Sequence, residues 1–158
     1  MLDRDSAAFI QTGVAISLAA CGADRMPNNA RALGCKLVDG QQRVAIFMRL
    51  SQTHALVANI RENGLVAAVF SLPSSNRTLQ LKGSDAQVVD FDHADLMLIE
   101  RHTEAFLREV LPEGISELAV RTIHDWSPDD MLTVVFTPSA AFSQTPGPRA
   151  GQPLGSRP

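Results

Sequence analysis

Apolar and polar positions alternate in short blocks along most of the chain, and the blocks are separated by Gly, Pro, Asn and Asp. Residues 14–21 are apolar between Gly13 and Gly22 and read as a strand. Residues 22–29 carry loop chemistry, residues 30–38 read as the next strand, and Asp39-Gly40 is a hairpin signal leading into a third strand at 43–49. Ser51 offers an N-cap, Leu56 and Ile60 lie four apart and Asn63-Gly64 stops the run, which predicts a helix of about three turns. Residues 65–72 are apolar on both faces, so the strand they form needs cover on both sides. After a turn at 73–76, residues 77–90 read as one long strand, bulged at Gly83. Asp92 caps the longest helix, in which Leu96, Ile99, Thr103, Phe106 and Val110 keep helical spacing and Glu104 and Arg108 pair across one turn. Residues 118–126 and 131–137 read as two further strands around a Ser127-Pro128-Asp129-Asp130 turn. Residues 3–10 form a short leading helix with Ala7, Ala8, Phe9 and Ile10 available for docking. Strand-to-strand hairpins outnumber helices, so the expected fold is mainly β with flanking helices: a barrel of about six to seven antiparallel strands.

Composition narrows the picture. With 158 residues the chain suits one domain, 1–138, followed by a Pro/Gly-rich tail, 139–158. The tail is expected either to be disordered or to lie as an extended strap over a cleft. The net charge is −3 and no basic stripe is present, which argues against nucleic acid as a partner. No apolar run approaches the roughly 20 residues that span a bilayer, so no membrane partner is expected. Hairpin register places Cys21 near Ala30 and Cys35 near Ile16, too far apart for a disulfide, so two reduced thiols and a cytoplasmic location are expected. Leu18-Ala19-Ala20-Cys21-Gly22 has the look of a lipoprotein cleavage box. The segment before it is not positive, and cleavage there would remove the first strand.

Several chemistries lack their residues. There is no Gly-rich phosphate loop, no Gly-x-Ser-x-Gly elbow, no Cys pair at zinc spacing and no tyrosine. His54, His93, His102 and His124 lack the spacing of a helical metal site and are expected at surfaces or helix ends. What remains is Arg77-Thr78-Leu79-Gln80-Leu81-Lys82-Gly83, where alternation sets Thr78, Gln80 and Lys82 on one face. Such a strand either lines a ligand site or is an ordinary strand with a solvated face. If the barrel closes, Arg31, Lys36, Arg77 and Lys82 form a positive pocket suited to a phosphate-bearing ligand.

The stretch Arg31-Ala32-Leu33-Gly34-Cys35-Lys36-Leu37-Val38-Asp39-Gly40 resembles the Arg-x-x-x-x-Lys-x-x-Asp segment of the pyridoxamine 5′-phosphate oxidases, where this strand runs along the flavin. Residues 66–70, the turn after them and residues 77–83 resemble the family's next block, in which the position of Thr78 is a glutamine touching the flavin ring. Residues 141–151, with Phe142, Gln144 and Pro146-Gly147-Pro148, resemble the ending of a subgroup of small uncharacterised proteins in this superfamily. The likeness follows element order from about residue 7 to residue 151. It implies an FMN-binding split barrel, a homodimer with the flavin at its interface, and an oxidoreductase acting on a small molecule. The implied cofactor contacts are Arg31, Lys36, Ser51, Thr53, Arg77, Thr78 and Gln80, with no catalytic side chain singled out and no metal. Two departures stand out. Gln52 and Thr53 replace the family's phosphate-holding Arg-Lys pair, leaving the hydroxyls of Ser51 and Thr53 and a helix N-terminus for an anion. The Tyr and Arg cluster that grips the B6 substrate has no match in residues 92–111. The alternative is a non-catalytic dimeric module holding haem, another flavin or a phosphorylated small molecule, with His54 the best-placed haem ligand.

Overall fold

The computed structural model describes residues 2–154. In chain order these form α1 (Arg4–Phe9), β1 (Ala15–Cys21), β2 (Pro27–Val38), β3 (Arg43–Arg49), α2 (His54–Asn63), β4 (Val66–Ser71), β5 (Thr78–Gly83), β6 (Gln87–Asp90), α3 (Leu96–Val110), α4 (Glu117–Ile123), β7 (Met131–Phe136) and β8 (Ala140–Ser143). Eight antiparallel strands run in the order β6-β7-β3-β2-β1-β4-β5-β8, where six to seven were expected.

The 12-residue strand β2 joins the two halves of the sheet. Its first half pairs with β1 (Ser17 opposite Arg31) and its second half with β3 (Lys36 opposite Ala45). The ladder slips between Ala32 and Gly34, a bulge that bends the strand and curls the sheet. β1, β4 and β5 alternate strictly. Ile16, Leu18, Ala68, Phe70, Leu79 and Leu81 turn inward to meet Val44, Ile46, Val134 and Phe136, and this cluster is the barrel core. Leu56, Val57 and Ile60 of α2 join the same cluster. α3 covers the other face of β2 and β3 through Leu33, Phe47 and Ile99, with Phe91 edge-on to Phe47 at 5.5 Å. Phe106, Leu107 and Val110 pack on Val120 of α4.

Four local expectations are corrected. The strand foreseen over 77–90 is two strands, β6 at one edge of the sheet and β5 next to the other edge. Between them the Asp85 carboxylate accepts the Thr137 amide at 2.8 Å and the Ala86 amide donates to the Gly64 carbonyl at 3.0 Å, which turns the chain away from β5. Gly64 itself sits at φ +69°, and a Cβ there would lie 2.9 Å from the Ser84 carbonyl oxygen, so both the helix end and this crossing need glycine. The strand foreseen over 118–126 is instead α4. The Ser116 side chain caps it by accepting the Ala119 amide, and only Val120 is buried while Leu118 is 77% exposed. Ser51 does not cap α2; it lies in a 3-10 turn, and Thr53 precedes the helix without a side-chain capping bond. Finally, β2 starts at Pro27, so Cys21 pairs with Pro27 rather than Ala30, and Cys35 faces Ile46 rather than Ile16.

Both cysteines are free. The Cys35 thiol donates to the Ile10 carbonyl at 3.1 Å, and loss of solvent pushes it up to about 12. The segment from 139 onward, read as a tail, adds β8 beside β5 and then folds back, with Leu154 donating to Ala141 at 2.7 Å and Phe142 bridging Pro153. Residues 155–158 of that tail lie outside the described residues. Leu18 to Cys21, the segment with the look of a cleavage box, lies within β1. No described helix is long and apolar enough to cross a membrane.

Candidate functional site

The side chains of the sheet that point away from the core fall into rows. One row crosses five strands by register: Arg31 (β2), Ser17 (β1), Val69 (β4), Gln80 (β5) and Phe142 (β8). The rows flanking it on the same face carry Ala15, Ser71 and Thr78 on one side and Ala19, Ala67 and Lys82 on the other. The middle of this face is therefore made of small residues, with Arg31 at one end and Gln80, Lys82 and Phe142 at the other. At about 4.8 Å per strand step, Arg31 and Gln80 lie roughly 14 Å apart. The Thr78 and Ser71 hydroxyls share a hydrogen bond at 2.8 Å, the Gln144 side chain reaches Gln80 at 3.4 Å, and Lys82 lies 5.1 Å from the Phe142 ring centroid.

Arg31 heads a cluster of nitrogen groups. Its guanidinium carbon is 5.8 Å from the Phe106 ring centroid. Phe106 stacks on His124 at 5.0 Å, and His124 on His102 at 6.1 Å and 13°. Arg49, at the end of β3, donates to the carbonyls of Ile123 and Asp125 at 3.0 and 2.8 Å, tying down the C-terminal end of α4. Thr103 Oγ1 is 3.2 Å from His124 Nδ1. Arg31 is half-buried, and among the described residues no carboxylate pairs with it. Burial and then the neighbouring Arg49 lower its pKa.

Both imidazoles are pushed down to about 4. Burial is the main cause for each; Arg31 adds to it at His102, where the Val14 carbonyl opposes, and His102, Arg31 and Arg49 add to it at His124. They are neutral at pH 7. Arg49 Nε, His102 Nε2 and His124 Nε2 are buried without a hydrogen-bond partner among the described residues. Buried ring and guanidinium nitrogens beside an unpaired guanidinium are groups that can take an anion.

The seven residues expected to contact a cofactor are thus divided. Arg31, Thr78 and Gln80 share one sheet face. Lys36 does not join them, because its ammonium lies 2.6 and 2.8 Å from the Asp95 carboxylate oxygens and so pins the start of α3 to β2. Ser51 gives its amide and hydroxyl to the Asp130 carboxylate at 2.7 and 2.5 Å, and the hydroxyl of buried Thr53 donates back to the Arg49 carbonyl at 2.8 Å. A carboxylate of the chain itself therefore stands at the start of the α2 segment, where an external anion was expected. Arg77 is held 4.2 Å from the Phe9 ring centroid, against α1 and on the side of β5 opposite Gln80.

Arg49, His102, Phe106 and His124 were missed. His102 lies three residues after Ile99 and four before Phe106, on the buried stripe of α3, and that spacing was the available signal. His102 is buried within α3 rather than at a surface or helix end, whereas His124 stands at the expected helix end, as the buried C-cap of α4. His124 gave no signal, because its segment read as a strand.

No protein-family model matches the chain, and no curated protein matches it in sequence. Solved structures do match in fold. HupZ of Group A Streptococcus superposes with a TM-score of 0.56 at 14% identity, over 96% of this chain and all of that one. A putative pyridoxamine 5′-phosphate oxidase from Lactobacillus delbrueckii gives 0.53 at 14% identity, over 89% and 93%. HutZ from Vibrio cholerae, described as a heme storage protein, gives 0.50 at 16% identity, over 90% and 94%. The curled antiparallel sheet with its flanking helices is therefore the split barrel of the pyridoxamine 5′-phosphate oxidase-like proteins.

Proposed function

We propose that this chain is an FMN-binding oxidoreductase that works as a homodimer on a small-molecule substrate. The observation carrying this reading is the row from Arg31 to Gln80 across a face floored by small side chains, with buried unsatisfied nitrogens at the Arg31 end. Arg31, His124 and His102 would hold the phosphate, and Thr78 and Gln80 the flavin ring. An anion at this place also favours protonated imidazoles, which turns both histidines into donors. The loss of the Arg-Lys pair at 52–53 is offset in this reading by Arg49, whose charge lies near enough to Arg31 to depress it.

Bound flavin supplies two-electron chemistry. The chain's own residues bind and orient it, since no side chain on the sheet face has the environment of a general acid or base. Ala15, Ser17, Ala19 and Ala67 are short enough for a second copy of the chain to approach closely, and such a copy would enclose a ring lying on them. Val69 and Phe142 are half-buried and would gain cover from the same contact.

The test is the absorption spectrum and mass of whatever co-purifies, with the oligomeric state measured alongside. A flavin spectrum that is lost in Arg31→Gln supports the reading. Flavin retained at full affinity in that variant refutes the placement, and colourless protein that binds no added FMN refutes the cofactor. A haem reading rests on a different place: His54 is exposed at a groove of about 390 Å³ lined by Leu50, Val57, Val88, Val89 and Met131. A Soret band that disappears in His54→Ala would replace flavin with haem.

A further inference from the structure

The C-terminal segment folds back on β8 and borders a second, partly open cavity of about 560 Å³ between itself, α1 and the start of β5. The cavity lies beside Arg77 and shares Thr78 with the sheet face described above, whose Arg31 end is three strands away. Its lining includes Arg77 and Arg149 and no acidic side chain, in a chain whose net charge is −3. Among the described residues neither arginine is paired with a carboxylate. The Arg77 guanidinium carbon lies 4.2 Å over the Phe9 ring centroid, and its N–H groups make no hydrogen bond among the described residues, so they can fork onto an anion.

The remaining walls point to the same class of ligand. The Ser143 side chain lines the cavity and makes no hydrogen bond among the described residues. Leu79, Pro146, Pro148, Pro153 and Leu154 supply an apolar part of the lining. The hairpin that carries Arg149 is already braced: Thr145 Oγ1 accepts the Thr78 amide at 2.9 Å, and the Ser143 and Gly151 amides donate to Gln152 and Ser143 carbonyls at 2.9 and 2.7 Å. Three prolines in this short span limit the freedom lost when the hairpin closes on a ligand. Paired guanidiniums and a free hydroxyl against an apolar wall fit a small phosphate monoester with a compact apolar body.

We infer that this cavity is a binding site for such a phosphate monoester, distinct from the anion end at Arg31. Phenyl phosphate serves as the probe, with inorganic phosphate and phenol as its two halves, titrated calorimetrically into the full chain. Phenyl phosphate is expected to bind and phenol not to bind. Arg149→Gln, at an exposed turn where folding is safe, should weaken binding by roughly tenfold or more, as should Arg77→Gln, because each removes a charge-assisted contact. Both variants should keep whatever cofactor the wild type carries, while Arg31→Gln reports on cofactor retention alone. No binding at millimolar phenyl phosphate, or unchanged affinity in Arg149→Gln, overturns the inference. Loss of phenyl phosphate binding in Arg31→Gln with both other variants unaffected assigns the anion to the Arg31 site and overturns it equally.

Discussion

Acid should destabilise this protein well before its carboxylates protonate, and His102 is the main reason. In the folded chain its imidazole is held down to about 4, against 6.5 in an unfolded one. Between those values the unfolded state binds a proton that the folded state refuses, so stability is full above about pH 6.5 and falls as pH drops toward 4. At about pH 5 the loss from this one side chain is roughly 2 kcal/mol, which for a domain of this size lowers Tm by about 4–8 °C. His124, held down to about 4 as well, acts in the same direction. Asp3 and Asp85 are stabilised as carboxylates, so their contribution is lost only at lower pH, and the window from about 5 to 6.5 belongs to the imidazoles. The assay is urea unfolding at several pH values for the wild type and His102→Gln, comparing the acid-induced loss rather than the absolute stability. The variant should lose about 2 kcal/mol less between neutral pH and pH 5. Equal losses in the two proteins, or an NMR titration placing the His102 ring near 6.5, would refute the burial argument.

Arg31→Gln should weaken FMN binding roughly 10- to 100-fold, the worth of one charge-assisted phosphate contact, read by flavin fluorescence titration. If the phosphate seats against the two imidazoles, saturating FMN should also shrink the acid sensitivity described above, measured by repeating the unfolding series with ligand. Lys36→Met should cost about 2 kcal/mol by leaving the buried Asp95 carboxylate unpaired, less than a fully buried pair because the Lys36 side chain is 30% exposed; the Lys36→Met, Asp95→Leu double variant should recover most of it in chemical denaturation. Gly13→Ala places a Cβ 2.4 Å from the Ala105 carbonyl oxygen in α3, a backbone atom that cannot swing aside, and should lower stability by roughly 1–3 kcal/mol in the same measurement.

Local order was legible in the residues. The alternation of Thr78, Gln80 and Lys82 against Leu79 and Leu81 is the burial pattern of β5, and Asn63-Gly64 ends α2 with Gly64 in the left-handed region. The long α3 follows its apolar spacing from Ile99 to Val110. One local reading failed. Residues 118–126 carry enough Leu, Val and Ile to read as a strand, yet a Ser116 cap and exposure of every α4 residue but Val120 make a helix cheaper there than a ladder without a partner.

What the sequence determined by itself was the class of the fold and the face of each strand on which a side chain stands, because alternation and turn chemistry act within a few residues. Tertiary structure alone decided which charges are free. Lys36, Ser51 and Arg31 all read as phosphate ligands, but Asp95 lies 59 positions from the first and Asp130 lies 79 from the second, and only folding brings those carboxylates within hydrogen-bond range while leaving Arg31 without one. Strand partners and ion pairs are contacts between distant positions, and neither period nor composition records them.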